Sequence, residues 1–377
     1  MTMTSTTKSP SLEVHILGAG KGESIVIKLP NGLWGVVDCY ASSSADPDSN
    51  PTIAFLRSKG VTQLEFLCLT HPHDDHFFGM TTLIDEFKPR EFWRAGCLSP
   101  QHIKLVARYY RIAGISDGVA KFTKSSKELV GVYAKIREKA EANEVKVKRA
   151  QSLMTLYPDP AAMTGEFQID CIAPSGSLAE HYEGAVWSCI DENNETVETL
   201  TRSHHNNISL VLRLVYGKTR VLLGGDLEKQ GWEEVVREYG AANLAACAVK
   251  VSHHGSPNGY CTGLWQHFAA QGKPVAVIAP SRTHKLPKPK AIQDIRDFTE
   301  SVYATCDFDG GGVASPVRLP SKGPIESRLA MRDAFATTPK LPPTTKVGWC
   351  SMTFDDDGRV KLDVTPPAHQ LQIAPRP

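Results

Sequence analysis

The sequence predicts an α/β (α+β) protein in which two β-sheets pack face to face, with helices on their outer sides. Residues 64–70 form a largely apolar run without alternation, which is typical of a strand buried on both faces. The regions 12–95 and 167–299 each mix strand and helix patterns, so each can form one sheet with covering helices. The chain has 377 residues, 41% of them hydrophobic, which is enough for a large core.

The first region begins with three predicted strands and continues with alternating helices and strands. Gly18, Gly20 and Gly22 separate the first two strands, and Pro30-Asn31-Gly32 is a strong turn signal. Pro51 suits the first turn of a helix. The predicted elements are strands at 12–17, 24–29, 33–37, 64–70 and 91–95 and helices at 51–58 and 77–87.

Residues 97–150 differ from both regions because their pattern is helical and strongly basic. They contain twelve basic and five acidic residues, a net charge of +7. We expect a helical insertion that covers a cleft. Its basic side chains would attract phosphate groups, although the solvated face of a surface helix has the same composition. The side chains expected near the cleft are Lys121, Lys124, Lys127, Lys135 and Arg137.

The second region repeats the mixture of strands and helices. Tyr216-Gly217-Lys218 is a hairpin turn between two strands, and the residues after Asp226 form an amphipathic helical pattern. The predicted elements are strands at 167–172, 208–215, 219–223, 246–251 and 275–279 and helices at 228–239 and 289–298.

The chain divides into a disordered tail at 1–11, one domain at 12–300 and a C-terminal extension at 301–377. Within the extension, residues 306–346 are rich in Gly and Pro and predict a long loop. Residues 347–354 and 359–364 predict a final hairpin.

Charge, composition and cysteine content together favour a cytoplasmic protein. The formal net charge is +1, so no overall field attracts nucleic acid or a membrane. The N-terminal segment lacks the apolar core of a secretory signal, and no window approaches the ~20 apolar residues of a membrane helix. The nine cysteines form no C-x-x-C pair, which favours buried thiols in a reducing compartment. We expect a cytoplasmic protein with no membrane partner.

The most informative stretch is His71-Pro72-His73-Asp74-Asp75-His76, which directly follows the apolar strand at 64–70. Loops at strand ends carry much of the chemistry of α/β proteins because a rigid sheet holds them. Imidazole nitrogens and carboxylate oxygens are ligands that Zn²⁺ prefers. The stretch therefore predicts a metal site.

Further candidate ligands follow later strands. Asp226 comes after two glycines that allow close approach of the backbone, and it could also cap the next helix. His253 and His254 follow the strand at 246–251, and His204 and His205 precede the strand at 208–215. We expect one histidine of each pair to reach the metal.

The motif H-x-H-x-D-H at 71–76 resembles the signature of the metallo-β-lactamase superfamily. The sequence is most similar to the hydrolase domain of bacterial competence channel proteins (ComEC-like) and to its free-standing relatives. Three further stretches carry this resemblance, at 14–24, 206–213 and 250–256. Together the motifs span about residues 12–300.

The resemblance implies an αββα sandwich, with a helical insertion and a C-terminal extension, that holds two metal ions at the sheet edge. It implies that His71 and His73 bind the first ion and that Asp75 and His76 bind the second. Asp226 would bridge the two ions.

Other positions are implied with alternatives. His253 is the expected late ligand, with His254 left open. His205 stands near the place of the family's third-motif histidine, with His204 as its alternative. Asp38 would orient a ligand from behind.

We expect two Zn²⁺ ions, or Mn²⁺ as the alternative, that share a bridging hydroxide, because bound metal lowers the pKa of water to about 7. Asp75 and Asp226 would reduce the positive charge of the site. His284, on a later loop, could donate a proton to the leaving group, although an exposed loop histidine would look the same. The leading reaction is phosphodiester hydrolysis, as by a nuclease or phosphodiesterase, with nucleic acid as a candidate substrate.

Two other functions stay open. The same ions could hydrolyse an ester, a lactone or a β-lactam. The chain could also bind metal without catalysis, as a partner of other proteins in a defence or stress complex.

Overall fold

The computed structural model describes residues 10–18, 20–42, 47–99, 102, 119–159, 167–188, 202–259, 262–308 and 347–371. The predicted tail up to residue 9 and the predicted loop from residue 309 onward lie outside these ranges. Within the described ranges, no helix has both the length and the apolar composition needed to cross a bilayer.

Sixteen strands and nine α-helices are described. The strands are β1 Leu12–Gly18, β2 Glu23–Lys28, β3 Trp34–Val37, β4 Phe66–Leu69, β5 Glu91–Ala95, β6 Lys146–Ala150, β7 Met154–Tyr157, β8 Phe167–Ala173, β9 Val211–Tyr216, β10 Thr219–Leu223, β11 Ala248–Lys250, β12 Val275–Ile278, β13 Val302–Ala304, β14 Gly348–Phe354, β15 Val360–Thr365 and β16 His369–Gln370. The helices are α1 Pro51–Ser58, α2 Asp74–Phe77, α3 Met80–Phe87, α4 Val119–Glu141, α5 Gly176–Ser188, α6 Arg202–Asn207, α7 Lys229–Tyr239, α8 Thr262–Phe268 and α9 Pro289–Arg296.

The first sheet has the spatial order β15-β14-β1-β2-β3-β4-β5-β6. Its first five strands pair antiparallel, and β3, β4, β5 and β6 pair parallel. Parallel neighbours need a crossover connection, and helices supply it here: α1 after β3, α2 and α3 after β4, and α4 before β6.

The second sheet has the order β16-β13-β12-β11-β10-β9-β8-β7. Strands β10 to β13 pair parallel, with α7, α8 and α9 as their crossovers, and strands β7 to β10 pair antiparallel. Each sheet thus joins an antiparallel part to a parallel part.

The core shows how the layers pack. On β10, Val221 and Leu223 belong to the apolar cluster that both sheets share. Leu222 lies between them in the chain and packs in a second cluster with Trp232 of α7 and Phe268 of α8. Val221 and Leu223 therefore face the other sheet, and Leu222 faces the outer helices, because successive side chains of a strand point to opposite faces. This arrangement is the predicted αββα sandwich, and the fold class is confirmed.

Two predicted segments have different structures. Residues 97–150 were expected to be helical, but after α4 the chain forms β6, which pairs with β5 and completes the first sheet. The expected C-terminal extension contributes to both sheets, because β14 pairs with β1 and β13 pairs with β12. These strands are short, so their sequences show little hydrophobic alternation. Their pairing partners are far away in the chain, so the sequence does not indicate them.

The helix predicted at 77–87 is also divided. Gly79 has φ +95°, a left-handed conformation that interrupts the helix between α2 and α3. The turn allows the backbone N–H of Ala41 to donate to the carbonyl of Phe78 at 2.8 Å. The break therefore ties the motif at 71–76 to the segment that follows β3.

Candidate metal centre

Four strand ends meet at one edge of the sandwich. Asp38 follows β3 and His71 follows β4 in the first sheet, while Asp226 follows β10 and His254 follows β11 in the second. Because β3 and β4 are parallel, as are β10 and β11, each pair of strands presents its carboxyl ends at one edge. The two sheets together bring imidazoles and carboxylates to a common point.

Asp38 organises the half of the site that the first sheet provides. Its carboxylate accepts hydrogen bonds from the Thr70 N–H at 2.8 Å, the Thr70 hydroxyl at 2.7 Å and His76 Nδ1 at 2.7 Å. The Thr70 hydroxyl lies 3.0 Å from His71 Nδ1 and, having donated to Asp38, can accept from it. Both imidazoles are thereby held with Nε2 directed toward Asp226, which suits both rings to bind a metal ion through Nε2.

His73 and Asp75 complete this half. His73 precedes α2 in an extended conformation, so the short helix carries Asp75 and His76 on the turn that follows. His73 Nδ1 lies 3.0 Å from His71 Nε2, and the rings of His71 and His76 are 4.2 Å apart. The four side chains are close enough to share metal ions.

Asp226 is the meeting point of the two halves. Its Oδ2 lies 3.8 Å from His71 Nε2, 3.5 Å from His76 Nε2 and 3.7 Å from His254 Nε2. His254 Nε2 also lies 3.2 Å from Asp75 Oδ2, while its Nδ1 donates to the carbonyl of Ala279 at 2.8 Å. A single carboxylate oxygen is therefore surrounded by imidazole nitrogens from both sheets.

The donor atoms fit divalent metal ions. Among the described residues, the buried atoms His73 Nε2 and His76 Nε2 have no hydrogen-bond partner. Buried polar atoms rarely stay unsatisfied, and a metal ion would satisfy these. Sets of three donor atoms lie within 4.8 Å of one another in the groups His71–His76–Asp226, Asp75–His76–His254, Glu23–Asp226–His254 and Glu23–Asp38–His76.

Comparison with known proteins gives two relatives in sequence. The chain is 26% identical over 309 residues to ComE operon protein 3 of Bacillus subtilis (strain 168), covering 78% of this chain and 32% of the relative. It is 30% identical over 169 residues to competence protein ComA of Neisseria gonorrhoeae, covering 40% of this chain and 23% of the relative. The chain is similar in sequence to a part of each of these two competence proteins.

The chain spans only about a third of the length of the first relative and about a quarter of the length of the second. A solved metallo-β-lactamase from Cronobacter sakazakii matches at 13% identity with a TM-score of 0.37, over 68% of this chain and 87% of that one. A structural likeness this weak carries no argument about activity. No family model matches the sequence.

The structure brings His254 to the centre, whereas the sequence favours His253. His253 Nδ1 lies 3.6 Å from Glu228 Oε1, and its Nε2 lies 3.5 Å from Asn206 Nδ2. Both histidines have positive φ, 49° and 55°, which is the left-handed conformation, in a tight turn. Consecutive side chains in such a turn diverge, so only His254 joins a ligand group with Asp226. The preference for His253 is corrected to His254.

His205 and His284 lie outside these ligand groups. His205 is buried, with its ring 5.4 Å from that of His73 and its Nδ1 3.0 Å from the Tyr182 hydroxyl. Its expected alternative, His204, is half-buried with its ring 5.8 Å from that of His181. His284 is exposed in the turn between β12 and α9. His205 therefore lies beside His73 at the border of the candidate centre.

The expectation that Asp226 could also cap the next helix is wrong. Helix α7 begins at Lys229 after Glu228, and the Asp226 carboxylate lies among the imidazoles instead. The positive φ of Gly225, 50°, turns the backbone there. Asp226 therefore belongs to the metal centre alone.

The histidines of the centre differ in the direction in which their surroundings shift the pKa. Burial, reinforced by neighbouring imidazoles, lowers the pKa of His71 and of His73 well below the ordinary value. Burial acts in the same direction on His76, but the carboxylates around it, Asp226 first among them, raise its pKa well above the ordinary value. The pKa of Asp226 is lowered against the effect of burial, mainly by His76 and His254. The metal-free centre thus holds protons that divalent ions can replace.

The sequence did not predict two buried charged residues that lie at the centre. Glu23 begins β2 and Lys250 ends β11, and both side chains are fully buried. Each lies in a stretch that carries the family resemblance, but a charged residue inside an apolar strand pattern gives no indication of its partner. Their contact depends on the packing of the two sheets.

Proposed function

We propose that the chain is a metal-dependent hydrolase that binds two divalent ions, Zn²⁺ or alternatively Mn²⁺, and hydrolyses phosphodiester bonds. The convergence of His71, His76 and His254 on one oxygen of Asp226 is the observation that supports it most strongly. Divalent ions held there would supply Lewis-acid activation of water and of the scissile bond.

The two ions would divide the donor atoms between them. His71 and His73 would hold the first ion, with His205 as a further candidate beside them. The second ion would be held by Asp75, His76 and His254. Asp226 Oδ2 faces both sets and would be the shared ligand, so Asp75 and Asp226 also offset the charge of the ions.

Basic side chains near the centre support a phosphate-containing substrate. Ser125 of α4 donates to Asp74 Oδ2 at 3.2 Å, so this part of α4 passes the motif at 71–76, and Lys124, which precedes Ser125, is exposed. The Arg282 backbone N–H donates to the carbonyl of Gly20 at 2.8 Å, and its side chain passes along Gly20. Lys124 and Arg282 could each contact a substrate phosphate.

The rest of the basic segment contributes less to substrate attraction than its composition suggests. Lys135 pairs with Asp85 at 2.8 Å, and Arg137 pairs with Glu141 at 3.8 Å, both at exposed positions. These pairs reduce the field that a substrate meets. His284 lies in the same exposed turn as Arg282, and in the proposed reaction it donates a proton to the leaving oxygen.

The test is hydrolysis of bis-p-nitrophenyl phosphate by the chain loaded with Zn²⁺ or with Mn²⁺. A lactone and a cephalosporin are assayed separately as alternative substrates. Single- and double-stranded DNA and RNA are then assayed for cleavage. Asp226→Asn removes the shared charge at nearly constant volume. Asp363→Asn, at an exposed carboxylate that pairs with Lys361, is the matched control.

We expect turnover of the phosphodiester by the wild type and the Asp363 variant, and its loss in the Asp226 variant. Turnover of the lactone or the cephalosporin alone would replace the phosphodiester assignment with the ester, lactone or β-lactam one. Tight binding of two ions without turnover of any substrate would favour the non-enzymatic role in a protein complex.

A further inference from the structure

A buried ion pair joins the two sheets directly behind the candidate metal centre. Lys250 Nζ lies 2.5 Å from Glu23 Oε1, and neither side chain has any exposed surface. Glu23 begins β2 of the first sheet and Lys250 ends β11 of the second. The pair therefore crosses the sandwich at the place where the two halves of the centre meet.

The ammonium group of Lys250 also holds the backbone next to Asp226. It donates to the carbonyl of Gly225 at 2.9 Å and lies 3.9 Å from Asp226 Oδ1. The other oxygen of Asp226, Oδ2, is the one that faces the imidazoles. The two oxygens of this carboxylate are thus divided between a fixed internal cation and the metal-binding histidines.

Glu23 reaches both halves of the centre from the same position. Its Oε1 lies 3.9 Å from His76 Nδ1 on the first sheet's side, and its Oε2 lies 3.6 Å from His254 Nδ1 on the second sheet's side. Glu23 is also close enough to Asp38 and Asp226 to form donor groups with them. The Lys250 ammonium balances the negative charge of Glu23, so Glu23 needs no further cation.

Stability alone is a poor explanation for such a pair. The cost of removing two charges from water is large, and apolar replacements of buried ion pairs are often neutral or stabilising. The Lys250–Glu23 pair lies against the candidate metal ligands Asp226, His76 and His254. Residues that contact metal ligands from behind control the direction of those ligands and the affinity for the metal.

We propose that the Lys250–Glu23 pair sets the separation of the two half-sites, and that Lys250 is a positioning residue that directs Asp226 Oδ2 toward both ions. This inference rests on the proposed metal centre and concerns how that centre is assembled. Without the pair, each sheet would keep its own ligands, but Asp226 would lose the contact that orients it as the shared ligand.

The decisive variant is the double substitution Glu23→Gln with Lys250→Met, which leaves no unpaired buried charge. Lys250→Met alone would leave Glu23 uncompensated and could unfold the chain. A matched control exists in the first sheet, where Lys148 Nζ contacts Glu91 Oε2 at 2.8 Å and the carbonyl of Leu156 at 2.6 Å. The control is Glu91→Gln with Lys148→Met, because its ammonium likewise joins one carboxylate and one backbone carbonyl.

Three measurements apply to each protein: urea unfolding, Zn²⁺ affinity and stoichiometry by competition with a chromophoric chelator, and the absorption spectrum of the Co²⁺ form. The spectrum reports ligand geometry, which a purely structural role would leave unchanged. In the folded double variant we expect Zn²⁺ affinity to fall by about 10–100-fold, with a changed Co²⁺ spectrum. The Lys148 control should keep the wild-type affinity and spectrum.

The outcomes separate this inference from the proposed function. Wild-type affinity and an unchanged Co²⁺ spectrum in the double variant would overturn the positioning role while leaving the hydrolase proposal intact. Failure of the double variant to fold, with the control folded, would also overturn it, because the pair would then serve stability. If the wild type bound neither Zn²⁺ nor Co²⁺, both proposals would fail. Lost metal affinity in the double variant supports the inference whichever substrate is hydrolysed.

Discussion

His76 Nδ1 donates to Asp38 Oδ2 at 2.7 Å, and this bond determines which nitrogen of His76 is available to a metal ion. The same carboxylate accepts two further bonds from Thr70, which in turn meets His71 Nδ1. Asp38 has φ +59°, an uncommon conformation for a residue with a side chain, and the three hydrogen bonds hold it there. One buried carboxylate therefore directs two ligands on different parts of the loop.

Replacing Asp38 with Asn should weaken metal binding more than it weakens the fold. The amide can accept through only one of its two polar atoms, so either the Thr70 N–H loses its acceptor or the Thr70 hydroxyl and His76 both lose theirs. We expect Zn²⁺ affinity to fall by about 10–100-fold, measured by competition with a chelator. Asp48→Asn, on an exposed carboxylate paired with Arg57, is the control. Equal affinity in the two variants would show that Asp38 does not orient the ligands.

The adjacent histidines His253 and His254 should differ sharply in their effect on metal content. His254 Nε2 faces Asp75 and Asp226, whereas His253 lies beside Glu228. We expect His254→Gln to lower the bound Zn²⁺ from two ions toward one, and His253→Gln to keep both. Elemental analysis of the purified proteins measures this directly, and the reverse pattern would restore His253 as the ligand.

A methyl group at Gly22 should disturb the centre from behind. A Cβ atom there would lie 2.2 Å from the backbone oxygen of Asp75 and 2.4 Å from the Tyr40 ring, so the loop carrying Asp75 must move. We expect Gly22→Ala to reduce metal affinity at least tenfold, in the range found when groups behind ligands are altered, which is about 10–100-fold. Gly184→Ala, where a Cβ meets nothing within 4 Å, should leave affinity unchanged. Unaltered Zn²⁺ binding in Gly22→Ala would mean that the loop accommodates the methyl group without moving its ligands.

Metal affinity should rise with pH. Nearby carboxylates raise the pKa of His76 and of His254 against the effect of burial, so in the metal-free chain each ring keeps its second proton to a higher pH than an ordinary histidine does. A metal ion must displace these protons, and this costs less as pH increases. The pKa of Asp75 and of Asp226 is lowered, so these carboxylates are already ionised and add no pH dependence near neutrality.

Titration calorimetry with Zn²⁺ between about pH 6 and about pH 8, in two buffers of different ionisation enthalpy, counts the released protons. We expect proton release that decreases as pH increases. An affinity independent of pH over this range would contradict the assignment of His76 and His254 as protonated groups in the metal-free chain.

The elements around the centre could be predicted because their signals are local. The apolar strand at 64–70, the turn after it and the cluster of histidines and aspartates at 71–76 are contiguous in sequence. The pairing of β6 with β5 could not be predicted, because Lys146–Ala150 is a short polar strand and its partner, Glu91–Ala95, lies far earlier in the chain. Composition and periodicity describe one segment at a time and carry no record of its neighbours in space.

By itself, the sequence determined the kind of site, since the residue types and spacing of the H-x-H-x-D-H motif already specify metal ligands after a buried strand. Tertiary structure alone decided that His254 rather than His253 faces Asp226, and that Lys250 meets Glu23 behind them. The physical reason is that side-chain direction follows from backbone dihedral angles and sheet packing. A positive φ at two consecutive histidines and the approach of two sheets are products of the whole fold.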